Sequence, residues 1–262
     1  MDLGLKNKVF MVAGAGRGLG YGIAQALARE GAMVSIGSRT RESILSAAET
    51  IGRETGSTAR GYVLDMKDGG SIQRWVEETL TEFGTLDGVV VNAGGPPPGK
   101  FEDFDDNQWQ EAFELTLLSA IRLIRESLEP LKERGGAILT LTSISVREPV
   151  DNLILSNVMR SGVVSMVKSL SKEFAPYGIR VNNIIPGFFD TDRLKSLDKN
   201  QAERTGMPLK EVIERRKSSV PLERYGDPKE FGNAAAFLLS DAAGYTTGHS
   251  FVLDGGFMKS LS

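Results

Sequence analysis

The clearest chemical signal in the chain is Gly14-Ala15-Gly16-Arg17-Gly18-Leu19-Gly20. It follows an apolar run, Val9-Phe10-Met11-Val12-Ala13, and opens a helical pattern over Tyr21–Arg29. A strand, a glycine turn and a helix start together make a phosphate-binding corner. Glycine lets the backbone turn sharply and approach a pyrophosphate, and the helix start offers free N–H groups and the positive end of its dipole. The spacing is G-x-x-x-G-x-G; Gly14, Gly16 and Gly18 only partly fill the commoner G-x-G-x-x-G. A glycine cluster alone also suits a flexible loop, and the flanking strand and helix are what favour the phosphate reading.

Polar residues at other strand ends extend the same chemistry. The second expected strand ends at Ser38-Arg39, where a carboxylate would take the ribose 2′-hydroxyl of NAD and an arginine suits a 2′-phosphate. With Arg17 in the glycine loop, two cations point to NADP(H); the plain alternative is that both are solvated, as arginines usually are. Asp65-Met66 and Asn92-Ala93-Gly94 end the third and fourth strands, where they edge an adenine or ribose or simply form turns.

The elements that must position these residues alternate strand and helix. Strands are expected over 8–13, 33–37, 59–64, 86–92, 137–142, 179–184 and 250–253. Helices are expected over 21–29, 41–55, 70–83, 106–134, 152–175 and 228–239. This alternation predicts an α/β fold: one doubly wound parallel sheet of about seven strands, Rossmann-type, with helices on both faces. No repeat or linker divides the chain, so residues 1–262 read as a single domain. The charged stretch at about 188–224, with a helical piece near 209–217, reads as a lid over a ligand or as a surface hairpin.

Composition narrows the function classes. Apolar residues make up 40% and charged residues 25%, and the net charge is −3, which gives no reason to expect nucleic acid or an anionic membrane. There is no cysteine and one histidine, His249, so no metal centre is expected. The opening residues give no expectation of a leader, no long apolar run occurs, and a cytoplasmic location is the default expectation.

The order Gly14-x-x-x-Gly18-x-Gly20, Asn92-Ala93-Gly94, Ser143, Ile179-Arg180-Val181-Asn182, Pro186-Gly187, Asp254-Gly255-Gly256 resembles a short-chain dehydrogenase/reductase over essentially the whole chain. Length and ending look most like the 3-oxoacyl-acyl-carrier-protein reductases and their sugar- and steroid-handling relatives. The resemblance implies a nicotinamide cofactor, a small carbonyl or alcohol substrate, and a homotetramer (or homodimer). It implies that Gly14, Gly16, Gly18, Leu19 and Gly20 hold the pyrophosphate, and that Arg17, Ser38 and Arg39 surround the 2′-phosphate. Asp65 and Met66 would meet the adenine; Asn92, Ala93 and Gly94 would lie near the ribose; Pro186, Gly187 and Thr191 would grip the carboxamide end.

The family's chemistry uses a tyrosine acid/base, a lysine one helical turn later, a serine and an asparagine. Aligned through Ser143, Lys168-Ser169-Leu170 and Ile179–Asn182, this chain places Ser156 at the tyrosine, Arg160 at the lysine and Thr116 at the asparagine. Only Ser143 remains. Tyr225-Gly226-Asp227-Pro228-Lys229 matches Y-x-x-x-K, but Pro228 suits the first helical turn, so the pair straddles a boundary. Ser156 and Arg160 are i and i+4 and share a helix face. Arg160 supplies a fixed charge and can donate to the cofactor's ribose but passes on no proton at working pH, and an aliphatic hydroxyl is a far weaker acid than a phenol.

Three readings follow. One is an NADP(H)-dependent oxidoreductase in which Ser143, Ser156 and Arg160 hold the developing alkoxide and water delivers the proton. The second is an NADP-binding protein with little activity, a sensor or oligomer subunit. The third is a non-redox enzyme in the same pocket. Arg147 engages an anionic substrate or is merely solvated; Trp75 and Trp109 read as core or interface residues, and Gly94–Gly99 as a stiff pocket wall.

Overall fold

The computed structural model describes residues 2–260. Seven strands form one parallel sheet: β1 Val9–Ala13, β2 Met33–Ser38, β3 Ala59–Val63, β4 Gly88–Val91, β5 Gly136–Leu141, β6 Ile179–Pro186 and β7 Ser250–Leu253. Their order is β3-β2-β1-β4-β5-β6-β7, so the winding reverses between β1 and β4. Every residue of β1 and β4 is buried, as expected for strands covered on both faces. In open α/β sheets the crevice at that reversal, beyond the carboxyl ends of the strands, is where ligands bind. Gly14 and Asn92 stand at this point.

Each face of the sheet has its own core. On one, α1 Gly18–Arg29, α2 Arg41–Thr55 and α10 Pro228–Leu239 bury Ile23, Leu27, Ile44 and Phe231 against β1 and β2. On the other, α3 Gly69–Phe83, α5 Ser119–Glu126 and α7 Ile154–Glu173 pack around Trp75, Leu123 and Val163. Trp75 is 1% exposed, and its indole N–H donates to Ser35 Oγ at 3.0 Å, so the buried polar edge is satisfied. α1 and α10 meet through glycines: a Cβ on Gly232 would run into the Gly22 carbonyl.

The long helix expected over 106–134 is broken twice. It runs as α4 Asp106–Phe113, a π-helical turn Glu114–Leu118, α5, and then α6 Leu128–Arg134 after Ser127. Pro130 lacks the N–H that would bond to Glu126, which explains the second break. The π turn puts one extra residue in the ladder beside Thr116, and such bulges gather at functional sites.

The charged stretch at about 188–224 also differs from expectation. It holds two helices, α8 Asp192–Thr205 and α9 Leu209–Ser218, where periodicity had suggested one. α8 buries only Leu194 and Asp198, too few positions to make an apolar stripe. Other boundaries shift slightly: β4 is shorter than expected and β6 runs on to Pro186.

Candidate active site

The glycine corner is built as the sequence implied. Gly14 and Gly18 have φ of +63° and +64°, and a Cβ on Gly14 would stand 2.6 Å from Asn92 Nδ2. A Cβ on Gly20 would strike the Gly14 carbonyl, so the helix start sits directly on the turn. Arg17 occupies the N-cap of α1 in an extended conformation without a side-chain cap bond. The first N–H groups of α1 are thus left for a ligand, and a phosphate fits that cradle. Leu19 packs against the core beneath it.

Of the other expected cofactor residues, Ser38, Asn92 and Thr191 touch this corner, and the rest have the following surroundings. Ser38 Oγ lies 2.8 Å from where a Gly16 Cβ would be, and Arg39 is exposed beside it. Arg17 is exposed but paired: its Nη1 is 3.0 Å from Asp192 Oδ2. Asn92 turns toward the backbone, donating to Ala13 O at 3.2 Å and Gly14 O at 3.4 Å, and so pins the turn. Ala93 is part-buried and Gly94 exposed at the cleft, while Met66 is buried and Asp65 accepts from the Lys67 N–H. Pro186 ends β6, and the Gly187 N–H bonds to Leu253 O at 2.8 Å. Thr191 caps α8 by accepting from Leu194 N; its methyl faces Gly18.

Of the expected catalytic residues, the structure brings Arg160 to the end of β5, just before Ser143, and Thr116 to the same small void as Arg160. Ser143 follows that strand, and its Oγ accepts from Ser145 N at 3.2 Å. Arg160 reaches over from α7, and Nη1 donates to Leu141 O at 3.0 Å and Thr142 O at 3.4 Å, the two residues before Ser143. Burial, and then the nearby Arg193 charge, pull the Arg160 pKa down to about 10. It remains cationic at neutral pH. Ser156 is buried one turn earlier on the same helix. Thr116 is buried in the π turn, with an Oγ1 lacking any protein partner. Thr116 and Arg160 line one small void of about 10 Å³, the size of one water molecule.

Loops wall this cleft. The segment after β4 is tied to the start of α7 by Gly99 N to Asn152 O, 2.8 Å, with Asn152 held at a φ of +63°. Pro96 is buried there. Arg193, near the start of α8, donates through Nη2 to Pro96 O at 3.2 Å. Sequence reasoning missed Arg193 and Asp192. Thr191-Asp192 is a cap-and-acid start signal for a helix that the weak apolar pattern hid.

The tyrosines lie elsewhere. Tyr225 donates to Asp198 Oδ2 at 3.0 Å, and Asp198 also pairs with Arg216 at 2.7 Å, joining α8, α9 and the following loop. Burial first, and the Asp198 carboxylate second, push the Tyr225 hydroxyl up, the wrong direction for an acid. Lys229 sits in the first turn of α10, capped by Asp227. Arg147 is exposed on its loop. Arg180 and Asn182 are structural: Arg180 donates to Leu238 O and Ser240 O, and Asn182 to Thr246 O. His249 is exposed, its backbone N–H bonded to Asn182. Trp109 belongs to a small cluster with Leu155 and Met159.

Among the described residues no cluster of metal-ligating side chains occurs, and no helix is long and apolar enough to cross a membrane.

Comparison with known proteins agrees with this geometry. The family model described as enoyl-(acyl carrier protein) reductase matches residues 14–258. A 3-oxoacyl-acyl-carrier-protein reductase FabG from Chlamydia muridarum is 34% identical over 253 residues, covering 96% of this chain and 98% of the relative. L-sorbose reductase from Gluconobacter frateurii, solved with NADPH and L-sorbose, superposes with a TM-score of 0.94 at 29% identity, covering all of both chains. YwfH, an NADPH-dependent reductase involved in bacilysin biosynthesis, superposes with a TM-score of 0.93 at 28% identity, over 98% of this chain and 100% of that one. From the glycine corner at the sheet reversal to the cleft at the end of β5, this chain belongs to the short-chain dehydrogenase/reductase family.

Proposed function

We propose that the chain is an NADP(H)-dependent oxidoreductase acting on a carbonyl compound or its alcohol, with Ser143, Ser156 and Arg160 in place of a tyrosine–lysine pair. A structural relative solved with NADPH, another described as an NADPH-dependent reductase, and the uncapped glycine corner support the cofactor. Arg17 and Arg39 supply the charge for a 2′-phosphate.

The observation that carries the reading is the placement of Arg160. Two backbone carbonyls fix its Nη1 beside Ser143, and its Nη2 faces the cleft. A cation anchored just before Ser143 supports a site in which that cation and the Ser143 hydroxyl would share a substrate carbonyl oxygen. NADPH, when bound, supplies a hydride to a carbonyl carbon. Ser143 then donates a hydrogen bond to the oxygen, Arg160 stabilises the negative charge that develops there, and Ser156 orients the substrate or a water. The proton comes from solvent, because neither hydroxyl is acidic enough and Arg160 holds its proton. The small void between Thr116 and Arg160 suits a water at the start of that path. Helices α8 and α9 act as the lid, and the chain assembles as a homotetramer or homodimer.

The test is an NADPH titration followed by a carbonyl panel read by nicotinamide absorbance. Saturable binding with oxidation is expected. Binding without turnover would instead favour an NADP-binding sensor or oligomer subunit, and conversion without an absorbance change would favour non-redox chemistry.

A further inference from the structure

Arg193 and Arg160 present an unusual pair of charges. Their Nη2 atoms lie 3.2 and 3.8 Å from one point in the cleft, where a Gly95 Cβ would stand. Among the described residues neither has a carboxylate within 4.0 Å; Arg193 bonds only to the Pro96 carbonyl, and Arg160 to those of Leu141 and Thr142. Neutral partners satisfy single N–H groups but leave two like charges opposed. Each guanidinium is partly desolvated, and the Arg193 charge weakens the hold of Arg160 on its proton. A planar anion between them would remove the repulsion and accept from both forks.

We infer that Arg160 and Arg193 form a receptor for a carboxylate on the substrate, so that the chain acts on oxo acids, or the matching hydroxy acids, in preference to neutral ketones. This rests on the carbonyl-reduction reading above. The location favours the substrate over the cofactor's phosphates. The pyrophosphate cradle lies at the start of α1 and the 2′-phosphate has its own arginines, Arg17 and Arg39, whereas Arg160 is anchored at the two residues before Ser143. An anion bridging the two guanidinium groups beside Gly95 would be held by an arginine fixed to the backbone just before Ser143. In the reaction, a hydride with its electron pair passes from NADPH to the carbonyl carbon and a solvent proton goes to the oxygen. Oxo acid, NADPH and H⁺ become hydroxy acid and NADP⁺. Arg193 comes from the lid helix, so the carboxylate also links α8 to the cleft wall.

The test compares straight-chain 2-, 3- and 4-oxo acids with their methyl esters, for wild type, Arg193→Met and Arg193→Lys. Wild type is expected to prefer at least one acid over its ester by more than about tenfold in kcat/KM. Arg193→Met loses about tenfold or more on that acid, mainly through KM, and changes little on the ester or in NADPH affinity. Arg193→Lys recovers part of the loss, which separates charge from folding. Equal activity of wild type on acids and esters would overturn the inference. So would a Met variant whose loss lies in NADPH affinity, because the anion would then be a cofactor phosphate. If wild type reduces no carbonyl at all, the underlying reading fails while the receptor is still read directly. Calorimetric titration of the matching hydroxy acids into the NADPH-loaded protein shows binding in wild type and none in Arg193→Met, or else sinks the receptor too.

Discussion

Arg17 Nη1 stands 3.0 Å from Asp192 Oδ2, so an ion pair joins the glycine turn to the first residue of α8. Both side chains are well exposed, at 79% and 60%. Such a pair is weak, on the order of 0.2–1 kcal/mol, and screened by salt. Its consequence is competition: Asp192 holds the cation that a cofactor phosphate needs. Asp192→Asn is expected to tighten NADPH by up to about fivefold at low salt, with little change in Tm. Fluorescence titration at two ionic strengths checks this; unchanged affinity at low salt counts against a phosphate role for Arg17.

Arg39 follows β2 and is exposed beside the glycine corner. Arg39→Asp puts a carboxylate where a ribose 2′-hydroxyl would be welcomed and a 2′-phosphate repelled. The NADPH-to-NADH preference is expected to fall by at least about tenfold. Paired kcat/KM values for the two cofactors measure it, and an unaltered ratio would place the 2′-phosphate elsewhere.

Ser156 and Arg160 share one face of α7. Installing a phenol and an ammonium there, as Ser156→Tyr with Arg160→Lys, restores an acid/base pair. Such help is typically worth about 10²–10⁴-fold, so generic ketone reduction is expected to rise by about 10²-fold. A folded, NADPH-binding double variant with no gain refutes the placement of these two positions.

The Arg160 charge has a pH signature. Its pKa is drawn down to about 10, chiefly by burial and then by Arg193. The cation is therefore present at neutral pH and lost as pH rises through about 10, earlier than for an ordinary arginine. Reductive kcat/KM is expected to fall on that alkaline side, and Arg193→Met to move the fall upward by removing a like charge. The stability effect has the opposite sign. The unfolded chain binds the proton more tightly, so this group's contribution to stability rises between about 10 and the ordinary arginine pKa. A profile flat up to the pH of unfolding, for wild type and variant alike, would show that Arg160 is not used.

The α1–α10 contact sets a packing prediction. Gly232 lies against the Gly22 carbonyl with no room for a methyl group. Gly232→Ala gains helix propensity but overpacks, and a net loss of about 1–3 kcal/mol is expected from urea denaturation. Unchanged or increased stability would mean the two helices can separate at little cost.

Much of this protein is legible in one dimension. Strand–helix alternation, the glycine turn and Arg39 after β2 are local patterns, because φ, periodicity and caps depend on neighbours in the chain. Helix spacing alone put Ser156 and Arg160 on one face. The break at Ser127 was also readable, from Pro130, although the periodicity over 106–134 masked it. What tertiary structure decided is where side chains point when several options are open. Asn92 faces the backbone of the turn, Tyr225 is spent on Asp198 in α8, and Arg17 is claimed by Asp192. Arg193 meets Arg160 only because the loop after β4, helix α7 and helix α8 come together from distant parts of the chain. No local pattern encodes that meeting. It arises from the parallel strand order, which collects the carboxyl ends of separate strands in a single crevice.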